Sequence, residues 1–421
     1  MKKQTYPVLC LITFLFICSV QLFAQPQIIG YLPTWAGFPN SVNSVQLTKL
    51  THLNVAFANP NSSAAIILAD GRTTSHLATV VTACHNQNVK VFLSIGGAGA
   101  SGSTYQGIMS NSTKMNTFVT NLVNYCTNNS LDGIDVDIEG DVLNGSYVTK
   151  AQYETFVTAL GTALHNANFK MSSALANWFG SNVTNLAAAQ YDWINIMSYD
   201  AVLPSDNAGE HSTYNQAVSD FNYWKNTKGV PGSKLVIGVP FYGYGWGSYA
   251  NSQEIAYSTI VATYANAETK DKIGTSPNMI SYNGIPTIQQ KTTYACANGG
   301  GIMIWQLTED ATGAKSLLSA IYDQITVCST AQEEVTNVND FSVYPNPCSK
   351  TGYVQLNTEN ASFTTIKIVN QLGQEVQLIH QANLAAGDHQ ISFDASDLSK
   401  GLYYIQILNN QQSTIKTMMV E

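Results

Sequence analysis

The chain has 421 residues, 45% of them hydrophobic and only 11% charged, which is enough for one large domain and a smaller one. Its formal net charge is -8 and it has no basic stripe, so nucleic acid and anionic membrane surfaces are excluded as natural partners. A neutral polar polymer such as a glycan is compatible.

In chain order, Lys2 and Lys3 precede the apolar run Val8–Leu22, and Phe23-Ala24 offers a small residue for cleavage. This predicts a secretory signal over residues 1–24. The run is short for a membrane span. Strands are then predicted at Ile28–Leu32, His52–Ala58, Lys90–Gly96, Gly133–Glu139, Lys170–Ala176, Trp193–Tyr199, Leu235–Phe241 and Gly301–Leu307. Helices are predicted between them at Ser75–Asn86, Met115–Thr127, Ala151–Asn166, Gln216–Thr227, Pro286–Ala297 and Ala314–Ile325. The strands are nearly continuous apolar runs, as strands covered on both faces should be. Eight such units within residues 25–328 predict an α/β fold, a (β/α)8 TIM barrel. An open doubly wound sheet would carry a Gly-rich phosphate turn after the first strand, and Gly30-Tyr31-Leu32-Pro33 is not one. Residues 329–340 are polar and acidic and read as a linker. Residues 341–421 show short alternating strands with turn signals, the pattern of a small all-β sandwich.

Of seven cysteines, Cys10 and Cys18 fall in the signal, leaving Cys84, Cys126, Cys296, Cys328 and Cys348. Cys84 and Cys126 sit on successive predicted helices; a disulfide and buried free thiols both fit. There is no CxxC, HxxH or HxxxH, so neither a metal nor a cofactor is expected.

The segment Leu131–Gly140 places Asp132, Asp135, Asp137 and Glu139 within eight residues. With β-branched spacers and a period of two, Asp135, Asp137 and Glu139 share one face of a strand. Carboxylates stacked in this way repel one another and must share protons or bind a cation. Asp132 has the other parity, near the strand start, and reads as structural. In a barrel, Glu139 stands at the mouth, with Asp137 and then Asp135 below it. A neighbouring anion keeps Glu139 protonated, ready to donate to a leaving oxygen. An ordinary retaining glycosidase needs a second carboxylate across the bond, whereas these acids share one strand. A substrate-assisted route fits better: the sugar's 2-acetamido oxygen attacks and Asp137 holds its N–H. A divalent-cation site and a structural cluster are rival readings.

The segment resembles the DxxDxDxE signature of family 18 glycoside hydrolases, the chitinase family. Ser94-Ile95-Gly96-Gly97 is similar to that family's SxGG, Met197-Ser198-Tyr199-Asp200 to its MxYD, and Gly238–Gly243 to its seventh-strand motif, with Trp305 closing the eighth strand. The resemblance spans about Gln27–Val327. It implies cleavage of β-1,4-linked N-acetylglucosamine polymers with retention, through an oxazolinium intermediate and without a cofactor. It implies catalytic roles for Glu139, Asp137, Asp135 and Tyr199. Tyr199 is expected to bond the acetamido oxygen, with Asp200 and Tyr242 near it and Trp305 as the floor of the site. Met197, Trp178, Trp246, Gly97, Tyr31 and Phe57 complete the expected substrate-binding set; Tyr31 and Phe57 fit the core equally well. Trp35, Trp178, Trp246 and Trp305 follow or end predicted strands, which suggests several sugar subsites, whereas Trp193 and Trp224 do not.

Two departures from the family's common pattern matter. Ile138 stands where many chitinases have an aromatic, which leaves endo-β-N-acetylglucosaminidase activity on N-glycan chitobiose cores open beside chitinase activity. A chitin-binding lectin on a dead barrel is a further alternative. The stretch from Gly243 to Ile285 looks too short for an extra α+β module, which implies an open groove and endo cleavage. Finally, Tyr344-Pro345-Asn346-Pro347, Ile368–Gly373, Leu398–Tyr403 and Lys416–Val420 resemble the sorting domain of the type IX secretion system of Bacteroidetes-type bacteria. That implies outer-membrane type IX machinery as a partner and a secreted or cell-surface monomer.

Overall fold

In this computed structural model, the structure describes residues 26–251, 254–333, 341–358, 361–371, 374–409 and 412–421. The predicted signal lies outside them. The chain divides into two compact units at Ile325/Thr326.

The first unit is a closed barrel of eight parallel strands: β1 (Gln27–Pro33), β2 (His52–Pro60), β3 (Lys90–Gly97), β4 (Gly133–Ile138), β5 (Lys170–Leu175), β6 (Trp193–Ile196), β7 (Leu235–Pro240) and β8 (Gly301–Trp305). Each strand pairs with the next, and β8 returns to β1 to close the ring. A three-residue strand, Ile66–Leu68, extends β2 antiparallel at the rim. The alternation within strands explains the layers. Ile134, Val136 and Ile138 of β4 point outward into the core shared with the helices, beside Val91, Leu93 and Ile194. Ile29, Tyr31, Phe92, Trp193, Val236 and Met303 fill the interior. At the strand starts His52, Phe92 and Trp193 close the bottom, with ring centroids 4.9–5.7 Å apart.

Two matching clamps fasten that lower rim. Asp132 accepts from His85 Nε2 (2.8 Å), Lys90 Nζ (3.0 Å) and the Val91 N–H (2.8 Å). Asp192 accepts from His165 Nε2 (2.8 Å), Lys170 Nζ (2.8 Å) and the Met171 N–H (2.9 Å). In each, the final turn of a helix, the first residue of one strand and an Asp just before the next are tied together. These donors hold both carboxyls below their ordinary range, against the opposing effect of partial burial.

The interval between β7 and β8 corrects one expectation. It does hold an α+β module. Strands Tyr242–Trp246, Ile255–Ala256, Lys272–Thr275 and Asn278–Ser281 form an antiparallel sheet, with the helix Tyr257–Thr263 beside it. Four very short strands and one two-turn helix fit an interval that length alone judged too small. The inference of an unwalled groove therefore falls.

The helix predicted at Ala314–Ile325 runs from Leu317 to Glu333, so the first part of the expected linker is helical. No Gly or Pro interrupts Thr326–Glu333 to stop it. Cys84 and Cys126 form no disulfide with each other; both are buried, and burial pushes both thiols up to about 12. No described helix is long and apolar enough to cross a membrane.

The second unit is all antiparallel. A three-stranded sheet (Ser342–Tyr344, Thr351–Thr358, Gly387–Asp394) and a four-stranded one (Ser362–Val369, Glu375–Leu384, Gly401–Asn409, Gln412–Val420) share one core. Val354, Leu356 and Phe393 from the first meet Ile366, Ile368, Ile405 and Ile407 from the second.

Candidate active site

At the C-terminal end of the barrel lies a cleft of about 410 Å³. Its lining includes Tyr31, Phe57, Asp137, Glu139, Trp178, Met197, Tyr199, Asp200 and Trp305 from the predicted set. It also includes Trp35, Asn59, Asp70 and Glu254.

The three aligned acids occupy three depths. Asp135 is wholly buried and surrounded by donors: Tyr31 Oη (2.7 Å), Ser94 Oγ (2.7 Å), Ser172 Oγ (2.6 Å) and Asn195 Nδ2 (3.3 Å). Ser94 and Ser172 stand opposite it because the β3–β4 and β4–β5 registers place them there. Burial raises its pKa, and the four donors work against that rise. Asp137, one layer up, is buried with no hydrogen-bond partner on Oδ1. Its pKa is pushed well up by burial first, then by the charges of Glu139 and Asp135. Glu139 is half-buried at the mouth and raised to about 7, by desolvation first and by Asp200 second. Both carboxyls are thus raised, and as close neighbours they resist ionising together. The expected cause is amended: burial outweighs any anion, and the anion raising Glu139 is Asp200, from beyond β6, rather than its strand neighbour.

Close backbone approach is what admits this pair. Gly96 and Gly97 have φ of +118° and +80°. A Cβ on Gly96 would lie 2.0 Å from the Asp137 carbonyl oxygen, and one on Gly97 would lie 2.7 Å from the Phe57 ring. Gly97 therefore packs behind Phe57 and does not itself line the cleft. Asn59 accepts from Tyr105 Oη (3.0 Å) and donates to the Gly96 carbonyl (2.9 Å), which fixes this turn.

Just beyond β6, Tyr199 lines the cleft with its hydroxyl 4.0 Å from Met303 Sδ, a weak acceptor. Asp200 receives the Tyr242 hydroxyl at 2.6 Å. Tyr242 is fully buried and reaches the cleft only through that bond. The aromatic wall is built from Trp305, stacked on Phe57 at 5.7 Å, with Trp35 6.1 Å from Trp305. Trp35 and Trp178 are about half exposed, at 51% and 52%, and offer open ring faces. Trp246 does not: it is 5% exposed, packed on Tyr244 in the inserted sheet and paired with Met279. Its place in the expected substrate-binding set is withdrawn, because the strand it ends is covered on both sides.

Sequence reasoning missed Asn59, Asp70 and Glu254. Asp70 sits with φ +54° after the rim hairpin and accepts from Thr34 Oγ1 at 2.7 Å. Glu254, an exposed residue of the inserted module, is raised to about 7 by desolvation and by Asp200. Neither carries a local signal; an Asp-Gly pair reads as a turn, and Glu254 belongs to a module the sequence did not disclose. Among the described residues no group of three His, Cys, Asp or Glu is placed to hold a metal ion.

Comparison with known proteins agrees with this geometry. The model of glycosyl hydrolases family 18 matches residues 27–310, and that of the secretion system C-terminal sorting domain matches residues 342–421. The crystal structure of the GH18 chitinase ChiB from the chitin utilization locus of Flavobacterium johnsoniae is 31% identical with a TM-score of 0.63, over 72% of this chain and 94% of that one. A chitinase from Bacteroides thetaiotaomicron is 27% identical with a TM-score of 0.65, over 72% and 97%. Chitinase A1 of Niallia circulans is 25% identical; the match covers 68% of this chain but only 56% of that protein's length. Barrel, acid ladder and family match together make this chain a glycosidase of the chitinase type, carrying a type IX sorting domain, and a member of glycosyl hydrolases family 18.

Proposed function

We propose that the chain hydrolyses β-1,4 linkages in chitin with retention, by substrate-assisted catalysis. The observation that carries this reading is that the stacked carboxyls of Asp137 and Glu139 line one cleft together with Tyr199. Glu139 donates to the glycosidic oxygen as the bond to the anomeric carbon breaks. The 2-acetamido oxygen of the same sugar attacks that carbon and closes an oxazolinium ring. Asp137 accepts the acetamido N–H and balances the ring's positive charge, while the Tyr199 hydroxyl orients the attacking oxygen. Glu139, now ionised, takes a proton from water, which opens the ring from the face the leaving group left. Of the other carboxyls lining the cleft, Asp70 is occupied by Thr34 and Asp200 by Tyr242, and Glu254 is raised to about 7.

Asp135 serves from below. Held by its four donors, it adds to the rise in the Asp137 pKa, after burial and the charge of Glu139. Trp305 supplies the sugar floor, and Trp35 and Trp178 supply stacking faces toward the ends of the cleft. Met197 forms part of the cleft wall. Residues 1–24 would direct export across the inner membrane, and residues 341–421 passage through the outer-membrane machinery, of a chain that works as a monomer.

Proton NMR of the first products from a chitin oligomer tests the reading. The β-anomer should appear first, and a matched oligomer lacking the acetamido group should be inert. Initial α-anomer, or equal cleavage of both oligomers, would end the substrate-assisted mechanism. Release of N-glycans from a high-mannose glycoprotein with no action on chitin would move the substrate to the chitobiose core. Tight chitin binding without turnover would make the protein a lectin.

A further inference from the structure

We propose that His211 is a positioning residue that holds the Asp200 carboxylate beside the cleft that Glu139 also lines. The proposal rests on the reading of Glu139 as the proton donor.

His211 lies in the loop that follows Asp200, a loop closed by the Ala201 N–H on the His211 carbonyl (3.1 Å). Its own N–H donates to Ser281 Oγ (3.2 Å) of the inserted module. The side chain is wholly buried, with its ring 5.3 Å from that of Tyr242 and 5.0 Å from that of Tyr244. Nδ1 stands 3.5 Å from Asp200 Oδ1, the oxygen that also receives the Tyr242 hydroxyl. The ring reaches toward Asp200 and toward the Tyr242 backbone, with neither approach in full hydrogen-bond geometry. A buried imidazole in that condition is costly, and such groups demand a reason. A movement of a few tenths of an ångström would turn the 3.5 Å approach into a bond.

Asp200 needs the support. It is a non-glycine residue with φ +61°, a conformation its surroundings must impose. The groups facing His211 are Asp200 from the end of β6, Tyr242 and Tyr244 from the inserted sheet, and Lys291 from the helix Ile285–Asn298. Lys291 is itself fixed, donating to the Ser212 carbonyl (3.0 Å), Ser212 Oγ (2.8 Å) and Asn283 Oδ1 (2.7 Å). Burial and the Lys291 charge hold the imidazole below its ordinary pKa, against Asp200. A neutral imidazole can orient a carboxylate without cancelling its charge. The charge of Asp200 then still acts on Glu139. A cation in the same place would erase that field.

The test compares His211→Leu with His211→Asn, whose amide nitrogen stands near the place of Nδ1. On a soluble chitin oligomer, H211L should lose about tenfold in kcat with KM within about twofold, as lost supporting contacts do. Its alkaline limb should move toward acid by about half a unit or more, because a loosened Asp200 raises Glu139 less. H211N should stay within about threefold of wild type with its limb in place. Equal losses in both variants with an unmoved limb, or no loss in H211L, would overturn the proposal and leave His211 a packing residue. Nitrogen NMR of the histidine-labelled full chain supplies a readout independent of how the variants fold. His211 should carry its proton on Nδ1 in wild type and lose that preference in Asp200→Asn. A proton on Nε2 in wild type would overturn the proposal. This readout holds or fails whatever Glu139→Gln does to activity, so the two readings can fail separately.

Discussion

Glu139 has to enter the proposed reaction with its proton on, and its surroundings keep it there up to about pH 7. Activity should therefore decline as pH rises through about 7. Asp200→Asn removes one of the two causes and should move that decline toward acid, measured as the alkaline limb of kcat/KM; an unmoved limb would show that burial alone sets the proton. The same shift has a stability cost. A carboxyl whose pKa is higher folded than unfolded favours the folded state below the unfolded value, about 4.3, and that contribution disappears as pH rises through the folded value, about 7. Glu139→Gln should thus melt higher than wild type at pH 8, with the difference shrinking toward pH 4, by calorimetry across that range. The sequence disclosed the ladder itself, because a period of two aligns Asp135, Asp137 and Glu139 whatever else the chain does. It did not disclose that the anion raising Glu139 comes from beyond β6, since that pairing depends on barrel closure.

At the scale of elements, the barrel strands were legible because strands covered on both faces are continuously apolar. Elements that lack this property escaped. The inserted sheet is made of strands such as Tyr242–Trp246, a Tyr-Gly-Tyr-Gly-Trp run with no hydrophobic contrast, and a two-residue strand at Ile255–Ala256. The paired clamps on the lower rim were half legible: the parity of Asp132 marked it as structural, while its equivalence to Asp192 shows only in three dimensions. Asp132→Ala should cost about 1–3 kcal/mol, since it strands the buried Val91 N–H along with two side-chain donors, and it should leave kcat unchanged. Because both clamp carboxyls sit below their ordinary range, the stability they contribute is present above pH 4 and is lost as pH falls through their lowered values. Urea titrations of wild type and Asp132→Ala at pH 3 and pH 7 should show the smaller difference at the lower pH.

At the scale of the molecule, two units with separate cores divide the labour. The cleft and every residue assigned a role in it belong to the first, and the sorting match falls wholly in the second. Deleting residues 341–421 should leave chitin hydrolysis by the purified chain within about twofold, as expected for domains with independent cores, and should abolish delivery to the medium or cell surface of a type IX-competent host. Normal delivery of the truncated chain would contradict the sorting role. Composition set this division in view early, through the change from apolar runs to short alternating strands, although the helix Leu317–Glu333 carries regular structure further than the polar composition implied.

The central claim is that one proton, held by Glu139 at the barrel mouth, makes cleavage possible. The most direct measurement is kcat on a soluble chitin oligomer for wild type and Glu139→Gln, with oligomer binding measured alongside. The account predicts a loss of about 10²–10⁴-fold in kcat with binding retained. A kcat for Glu139→Gln close to that of wild type would contradict it.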